Sequence, residues 1–384
     1  MKKFIHILYA TIALCLTLSC TQSKIKNDEK LLYVVWDSLK NADFLVEPYT
    51  SLEFVKLETN DKCIINDIAK IELDDSLIFI EDYMQRLYSF HRNGKFLCRI
   101  GEKGGADNEY VTMFDFVLNR KEKQVYIVDS SSGKIVIYDY CGKYLGNKRF
   151  DSAALSHSVK TAFVDDECLA TINFNSPDER YNFSIFDIES SRVKNCVEYL
   201  SIGNNRTENE EGRTTLLSSN LLLCAELSDT IYVCANREIC PMYVFQGFAK
   251  HATQDDIKQD KYDFGAQAAS QLLNDGFSAG IDNLYATNKV LHFQCQSKDG
   301  FYRIFYDTET KEGYKYDITK DLDSDNSLLW NYLKASCSDA FVCSLPVCDF
   351  LSKTHTRKTY PKLDELLDKS KDEDNPILAF FIAS

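Results

Sequence analysis

One motif occurs twice, about 47 residues apart, and it restricts the possible folds more than any other feature of the chain. The first copy, Leu77 to Leu97, reads Leu-Ile-Phe-Ile-Glu-Asp, a short gap, then Leu-Tyr-Ser-Phe-His-Arg-Asn-Gly-Lys-Phe-Leu. The second, Gln124 to Leu145, reads Gln-Val-Tyr-Ile-Val-Asp, a gap, then Ile-Val-Ile-Tyr-Asp-Tyr-Cys-Gly-Lys-Tyr-Leu. Each is an apolar strand ending in Asp, a polar turn, a second strand, a Gly-Lys turn and a third strand. A repeat of this length built only of strands is the mark of a propeller blade, which cannot bury its apolar face alone and must stack on its neighbours.

Weaker units continue the pattern. Cys168 to Phe174 with Tyr181 to Ile188 forms a third. Leu221 to Leu227, Asp229 to Cys234 and Met242 to Phe248 form a fourth. Val290 to Cys295 with Tyr302 to Tyr306 forms a fifth, and Ala340 to Leu345 opens a sixth that ends in Pro376 to Ala383. Val, Ile, Tyr and Phe dominate these runs, as half-buried strands require. The spacing therefore predicts an all-β fold, a six-bladed β-propeller with four-stranded antiparallel blades. Helical patterns are confined to Phe264 to Asn274 and to Pro361 to Lys371, where Pro occupies the first turn and Leu363, Leu366 and Leu367 form a stripe. Leu52 to Leu57 alternates like a strand with one wet face, while Pro376 to Ala383 is among the most apolar runs of the chain. A ring must pair its ends or leave an open edge, so residues 377 to 383 are expected to form a strand in a blade shared with the N-terminal part.

The first 19 residues form an export signal. Lys2 and Lys3 precede an apolar stretch from Phe4 to Leu18 that is too short to span a bilayer comfortably. It ends in Leu-Thr-Leu-Ser-Cys, the pattern of a bacterial lipoprotein signal, in which cleavage falls before Cys20 and the thiol carries diacylglycerol. The polar run from Thr21 to Lys30 reads as a tether, assigned to residues 20 to 43, with the propeller domain from 44 to 384. Removing residues 1 to 19 takes away two lysines and no acids, so the net charge moves from −14 to −16. That balance argues against nucleic acid and anionic headgroups as partners, leaving the lipid anchor as the membrane contact. The 14 cysteines show no Cys-x-x-Cys pairs and no accompanying His, and most beyond Cys20 sit inside strand-like runs as small hydrophobes. They are expected to be mostly free thiols.

At Gly101-Glu-Lys-Gly-Gly-Ala-Asp-Asn-Glu-Tyr110 the chain resembles the six-bladed β-propeller lipoproteins of Bacteroidetes, which are similar to NHL-repeat propellers. Gly94-Lys95-Phe96, Gly101, Gly104, Glu109, Tyr110 and Asp115-Phe116 match that pattern, while Ala106-Asp107-Asn108 replaces its Gly-Pro-Gly. Val55-Lys-Leu-Glu-Thr59, Asp229-Thr-Ile-Tyr232 and Asp374-Asn-Pro-Ile-Leu378 extend the likeness over nearly the whole chain. The resemblance implies the propeller fold and a cell-envelope location, and it carries little about activity.

Catalytic signatures are weak. The Gly-rich loop lacks the Gly-Lys-Ser/Thr ending of a phosphate loop and no helix pattern follows it. Asp321-Leu-Asp-Ser-Asp-Asn326 starts like a calcium loop but has Asn at its sixth position and Tyr332 at its twelfth. His91, His157, His251, His292 and His355 form no recognisable ligand pair, and no Gly-x-Ser-x-Gly elbow occurs. No catalytic residue, metal ligand or cofactor is assigned. Trp330, in Leu-Leu-Trp-Asn-Tyr, is the candidate for stacking on a ligand. The leading function is a lipid-anchored, non-catalytic envelope module for a protein or glycan partner. The alternative is a hydrolase or lyase holding a divalent metal in the central channel.

Overall fold

The computed structural model describes residues 31–42, 49–74, 76–155, 158–173, 181–198, 214–217, 220–225, 227–257, 265–320 and 325–383. Six antiparallel sheets follow one another around a ring. Blade one is built from Ile68–Asp74, Leu77–Asp82, Leu87–His91 and Phe96–Ile100, and blade two from Asp115–Asn119, Gln124–Asp129, Lys134–Asp139 and Tyr144–Arg149. Blade three uses Ser158–Asp165, Cys168–Asn173, Tyr181–Asp187 and Val193–Glu198. Blade four uses Thr214–Leu217, Asn220–Cys224, Thr230–Ala235 and Glu238–Gln246, and blade five Ile281–Ala286, Val290–Ser297, Gly300–Asp307 and Gly313–Asp317. In each blade the first strand named is the innermost.

Blade six joins the two ends of the chain. Leu333–Ser336, Ala340–Leu345 and Ile377–Ile382 come from the C-terminal part, and Ser51–Lys56 adds the outermost strand, pairing Ile377 with Lys56 through to Ile382 with Ser51. The expected closure is therefore present. Asn375 locks it from one side. Its amide oxygen accepts from Ile65 N at 2.8 Å, and its Nδ2 donates to Glu58 O at 2.7 Å and to Cys63 O at 2.5 Å. The helices Val347–Leu351, Thr354–Thr359 and Pro361–Leu367 lie between two strands of this blade, and buried Leu363 and Leu367 join its apolar cluster.

The repeated motif has a structural reason at both of its conserved points. The strand-ending acids Asp82 and Asp129 are fully buried and organise the following turns. Asp82 accepts from Met84 N and Arg86 N at 3.0 Å each and pairs with the Arg86 guanidinium. Asp129 accepts from Ser132 N at 3.1 Å, Ser132 Oγ at 2.6 Å and Val111 N at 2.7 Å. The Gly-Lys turns place Gly94 and Gly142 at φ of 84° and 80°, which favours Gly. A Cβ at Gly94 would lie 2.1 Å from Lys56 O, so this turn must be bare where blade one meets blade six.

The segment assigned to a tether needs correction beyond residue 31. Leu32–Val35 adds a fifth strand, parallel to Glu238–Gln246, on blade four, and Lys40–Asn41 does the same on blade five along Gly313–Asp317. Between them Trp36 packs against Phe248 and Tyr302, each at 4.8 Å between ring centroids, and the Lys315 ammonium lies 4.0 Å from its ring. Leu-Tyr-Val-Val is apolar enough to gain from an unpaired sheet edge, which also blunts that edge. Residues 1 to 30, including Cys20, lie outside the described residues.

None of the 12 described cysteines forms a disulfide, and six of them, including Cys224, Cys295 and Cys343, are buried.

Candidate functional site

The six innermost strands surround a cavity of about 280 Å³ on the axis of the ring. Its lining draws on every blade, with Lys70, Arg120, Lys160, Thr215, Tyr285 and Lys334 taken in order from blades one to six. Successive side chains of an inner strand point alternately at the two neighbouring blades, and the row holding Lys70 and Glu72 meets Asp115 of blade two beside the cavity.

Around the first three blades that row is charged. Lys70 Nζ bonds Asp115 Oδ1 at 2.8 Å and Glu72 Oε1 at 2.9 Å, and Glu72 Oε2 receives Arg120 Nη2 at 3.1 Å. The second oxygen of Asp115 accepts from Thr161 N at 2.7 Å and Thr161 Oγ1 at 3.0 Å. One carboxylate thus ties blade one to blade two and blade two to blade three. Burial works against its charge, but Lys70, Lys160 and the bonds to Lys70 and Thr161 prevail and hold it below the usual carboxylate range. Lys70 is held above its ordinary value for the complementary reason, Asp115 and Glu72 outweighing burial. Glu81, opposite Lys70 in register, is pushed up to about 8 by burial and by Asp115, against the pull of Lys70 and Lys160.

Around blades four to six the tie is neutral. Ala286 N donates to Thr215 Oγ1 at 2.9 Å and to Ser336 Oγ at 3.1 Å, and the two hydroxyls lie 3.1 Å apart.

A second feature lies on the face where the inner strands begin. Tyr83 and Met84, in the turn after Asp82, are 60% and 56% exposed, and Ile64 and Val111 in the loops entering blades one and two are also exposed. These loops converge on the turn. Tyr83 N donates to Asp67 O at 3.0 Å, Tyr88 Oη to Ile64 O at 3.1 Å, and Tyr110 Oη to Gln85 O at 2.8 Å. The corresponding turn of blade two carries Ser130-Ser131-Ser132 behind an equivalent Asp. Serines satisfy that turn, so turn geometry does not demand Tyr83 and Met84.

The Gly-rich loop from Gly101 to Tyr110 is a connection between blades one and two, as expected. Its backbone is held by Tyr138 Oη donating to Asn108 O at 2.5 Å and Lys134 Nζ to Ala106 O at 2.8 Å, while Glu109 accepts from Ala106 N at 2.9 Å. A Cβ at Gly101, with φ of 69°, would stand 2.8 Å from Tyr138 Oη.

Trp330 does not serve the role the sequence suggested. It is 1% exposed, wedged between blades five and six and stacked on Phe381 at 4.4 Å and on His292 at 6.1 Å. Stacking on a ligand needs an open ring face, and both faces are covered by protein. The space between these blades is apolar, and the helix Asp325–Trp330 delivers a large ring to fill it. His292 is buried in the same cluster, its Nδ1 3.0 Å from Asn283 O, and burial holds it well below the ordinary histidine value. Arg303 is also fully buried there. Its Nη2 donates to Trp330 O at 3.3 Å, Nε and Nη1 lack partners among the described residues, and burial lowers it to about 10. The calcium-like run from Asp321 falls largely outside the described residues. Among the described residues, no group of three or more His, Cys, Asp or Glu is placed to hold a metal ion. No described helix is long and apolar enough to cross a membrane.

The chain is thus a six-bladed β-propeller with a polar, strand-lined axial cavity and an apolar turn on one face. It belongs to the family described as a domain of unknown function, DUF4934, whose model matches residues 38–381. Among solved structures it is similar to a protein described as exported from Bacteroides fragilis, with 20% identity and a TM-score of 0.71 over 91% of this chain and 98% of that one. A protein of unknown function from Bacteroides thetaiotaomicron is more distant, at 9% identity, a TM-score of 0.45 and coverage of 86% and 76%. BamB from Moraxella catarrhalis stands at 11% identity and 0.36, over 77% and 72%. No curated protein matches.

Proposed function

We propose that this propeller is a non-catalytic binding module of the cell envelope, tethered through Cys20, whose Tyr83–Met84 face receives a partner protein. The observation that carries the reading is the contrast between the two repeated turns. Blade one places an aromatic ring and a thioether in water where blade two has serines on the same buried-Asp scaffold. Neighbouring exposed Ile64 and Val111 enlarge the apolar surface, and such clustered surface marks interaction sites more often than scattered hydrophobes do. Met adapts to varied contours and Tyr supplies contact area at small entropic cost, which suits a protein surface. The likeness to an exported Bacteroides protein supports the envelope location, as does the signal-like start of the chain.

The axial cavity gives the metal-enzyme alternative little support. Among the described residues its lining brings Lys70, Arg120, Lys160 and Lys334 against Glu72 and Asp74 and includes no His. A divalent cation there would meet more positive than negative side chains.

Two experiments test the proposal. Cys20→Ala should move the protein from the membrane to the soluble fraction and abolish labelling by a fatty-acid probe. Crosslinking from a photoreactive residue at the neighbouring exposed position 111, in the native envelope, should capture a discrete protein, and adding Tyr83→Ser/Met84→Ser should abolish that product at unchanged melting temperature. Capture that survives the double substitution, or binding only to glycans, would overturn the assignment of this face to a protein.

A further inference from the structure

We infer that Cys98 and Cys141 are a redox-active dithiol, a site that exchanges with disulfides and closes reversibly into a bond stapling blade one to blade two. The inference is independent of the partner face and of the axial cavity.

Three observations support it. The first is contact across the seam. Cys98 lies in the outermost strand of blade one, Phe96–Ile100, and Cys141 in the Gly-Lys turn that precedes the outermost strand of blade two. The Cys98 sulfur is 3.8 Å from Tyr140 O and 3.4 Å from where a Cβ on Gly142 would stand. The residues on both sides of Cys141 therefore rest against that sulfur, the close approach of two segments that a disulfide requires. The second is that the seam can be built without either cysteine. Where blade six meets blade one, His91 N donates to Lys95 O and Gly94 N to His91 O, just as Asp139 N donates to Lys143 O and Gly142 N to Asp139 O. A Cβ on Gly94 would meet Lys56 O and the Val55 side chain, as one on Gly142 would meet Arg99 O and the Cys98 sulfur. Val55 and Asn93 thus stand in the places of Cys98 and Cys141. Packing and turn geometry accept Val and Asn there, and sulfur occupies both positions together at one seam. The third is the division of roles. Cys141 is exposed and Cys98 half-buried. Burial pushes the Cys98 thiol up, while the Ser89 hydroxyl, 3.1 Å from its sulfur, works against burial because it can donate to a thiolate. Cys141 is accordingly the attacking thiol and Cys98 the resolving one.

The oxidant is a disulfide. The Cys141 thiolate attacks one of its sulfurs, forming a mixed disulfide and releasing the other sulfur as a thiolate. Cys98 gives its proton to solvent and attacks Cys141 Sγ, expelling the second sulfur. The protein loses two electrons and two protons, and the oxidant leaves as two thiols.

Treating the purified mature protein with oxidised glutathione, quenching in acid and mapping alkylated peptides by mass spectrometry tests the inference. Wild type should yield the crosslinked Cys98–Cys141 pair, which dithiothreitol reopens, and the bond should raise the melting midpoint by about 5 °C over the reduced protein. Cys98→Val should stop at a mixed disulfide on Cys141, and Cys141→Asn should leave Cys98 unmodified. Both substitutions copy the sulfur-free seam, so both variants should fold. Two free thiols in the treated wild type, separate mixed disulfides without the crosslink, or Cys141 joined to another cysteine would each overturn the inference. So would an equal thermal shift in the Cys98→Val/Cys141→Asn variant.

Discussion

The two halves of the ring solve the same problem with different chemistry. Blades one to three are clasped at the axis by Asp115, a buried carboxylate shared between Lys70 and Thr161. Blades four to six are clasped by the Thr215 and Ser336 hydroxyls converging on one backbone amide, Ala286 N. Both clasps join three consecutive inner strands, where polar backbone and side-chain groups would otherwise go unsatisfied. The charged version is directional and costly to break, because loss of one partner strands a buried charge. The neutral version is nearly indifferent to pH and to single losses. The charged half also holds Glu81, whose carboxyl is pushed up to about 8.

The most severe way to break the comparison is to separate the halves at the seam. Deleting residues 377 to 384 removes the strand that joins Ala340–Leu345 to Ser51–Lys56. The truncated protein should aggregate or lose cooperative unfolding in calorimetry; a melt like that of the full-length chain would refute closure as the source of ring stability. Next comes the charged clasp. Asp115→Ala should cost about 3–5 kcal/mol in denaturant unfolding, since buried Lys70 loses one of its two carboxylate partners and the Thr161 amide and hydroxyl lose their acceptor.

Glu81 probes the same half through pH. Below the ordinary glutamate range its carboxyl is neutral whether folded or unfolded, so it makes no difference to stability. As pH rises toward about 8 the unfolded chain ionises while the folded one retains its proton, and stability falls. The midpoint of Glu81→Gln relative to wild type should therefore increase from pH 5 to pH 9. A constant difference would show that Glu81 is not held protonated.

In the neutral half, Thr215→Ala and Ser336→Ala should cost only about 1 kcal/mol each, because Ala286 N keeps one acceptor in either variant. Losses as large as that of Asp115→Ala would erase the distinction. The smallest effect belongs to Arg303→Met, which replaces a poorly paired buried guanidinium with a flexible apolar side chain. Its stability should lie within about 1 kcal/mol of wild type or exceed it.

The blades were legible because their requirements are local. A strand that must end in a buried Asp, as at Asp82 and Asp129, and a turn that must be Gly, as at Gly94 and Gly142, leave the same residues at the same offsets in each copy. The closing strand was legible because Ile377 to Ile382 is too apolar to be left in water. The axial site was not, since its residues come one or two per blade from short strands such as Thr214–Leu217 and Leu333–Ser336. Ala69-Lys70-Ile71-Glu72 does alternate polar with apolar, but nothing in that alternation says its polar row meets Asp115 of blade two beside the cavity. Trp330 misled because an aromatic beside an acidic loop looks exposed, whereas its surroundings are set by Phe381, His292 and Phe341, from 38 residues before it to 51 after it. Residues 32 to 41 were missed because four- and two-residue strands are too short to show a period.

That short N-terminal strap determines how the molecule bears mechanical load. Tension applied through the start of the chain reaches Leu32–Val35 and Lys40–Asn41 before it reaches Ser51–Lys56. The pull is first taken up by parallel pairing to blades four and five and by the Trp36 wedge, whose carbonyl receives Lys315 Nζ at 3.0 Å. Peeling Ser51–Lys56 away would unzip blade six and open the whole ring. The strap places a sacrificial grip ahead of that strand, so a tug on the N-terminus is spent on the rim while the seam stays shut.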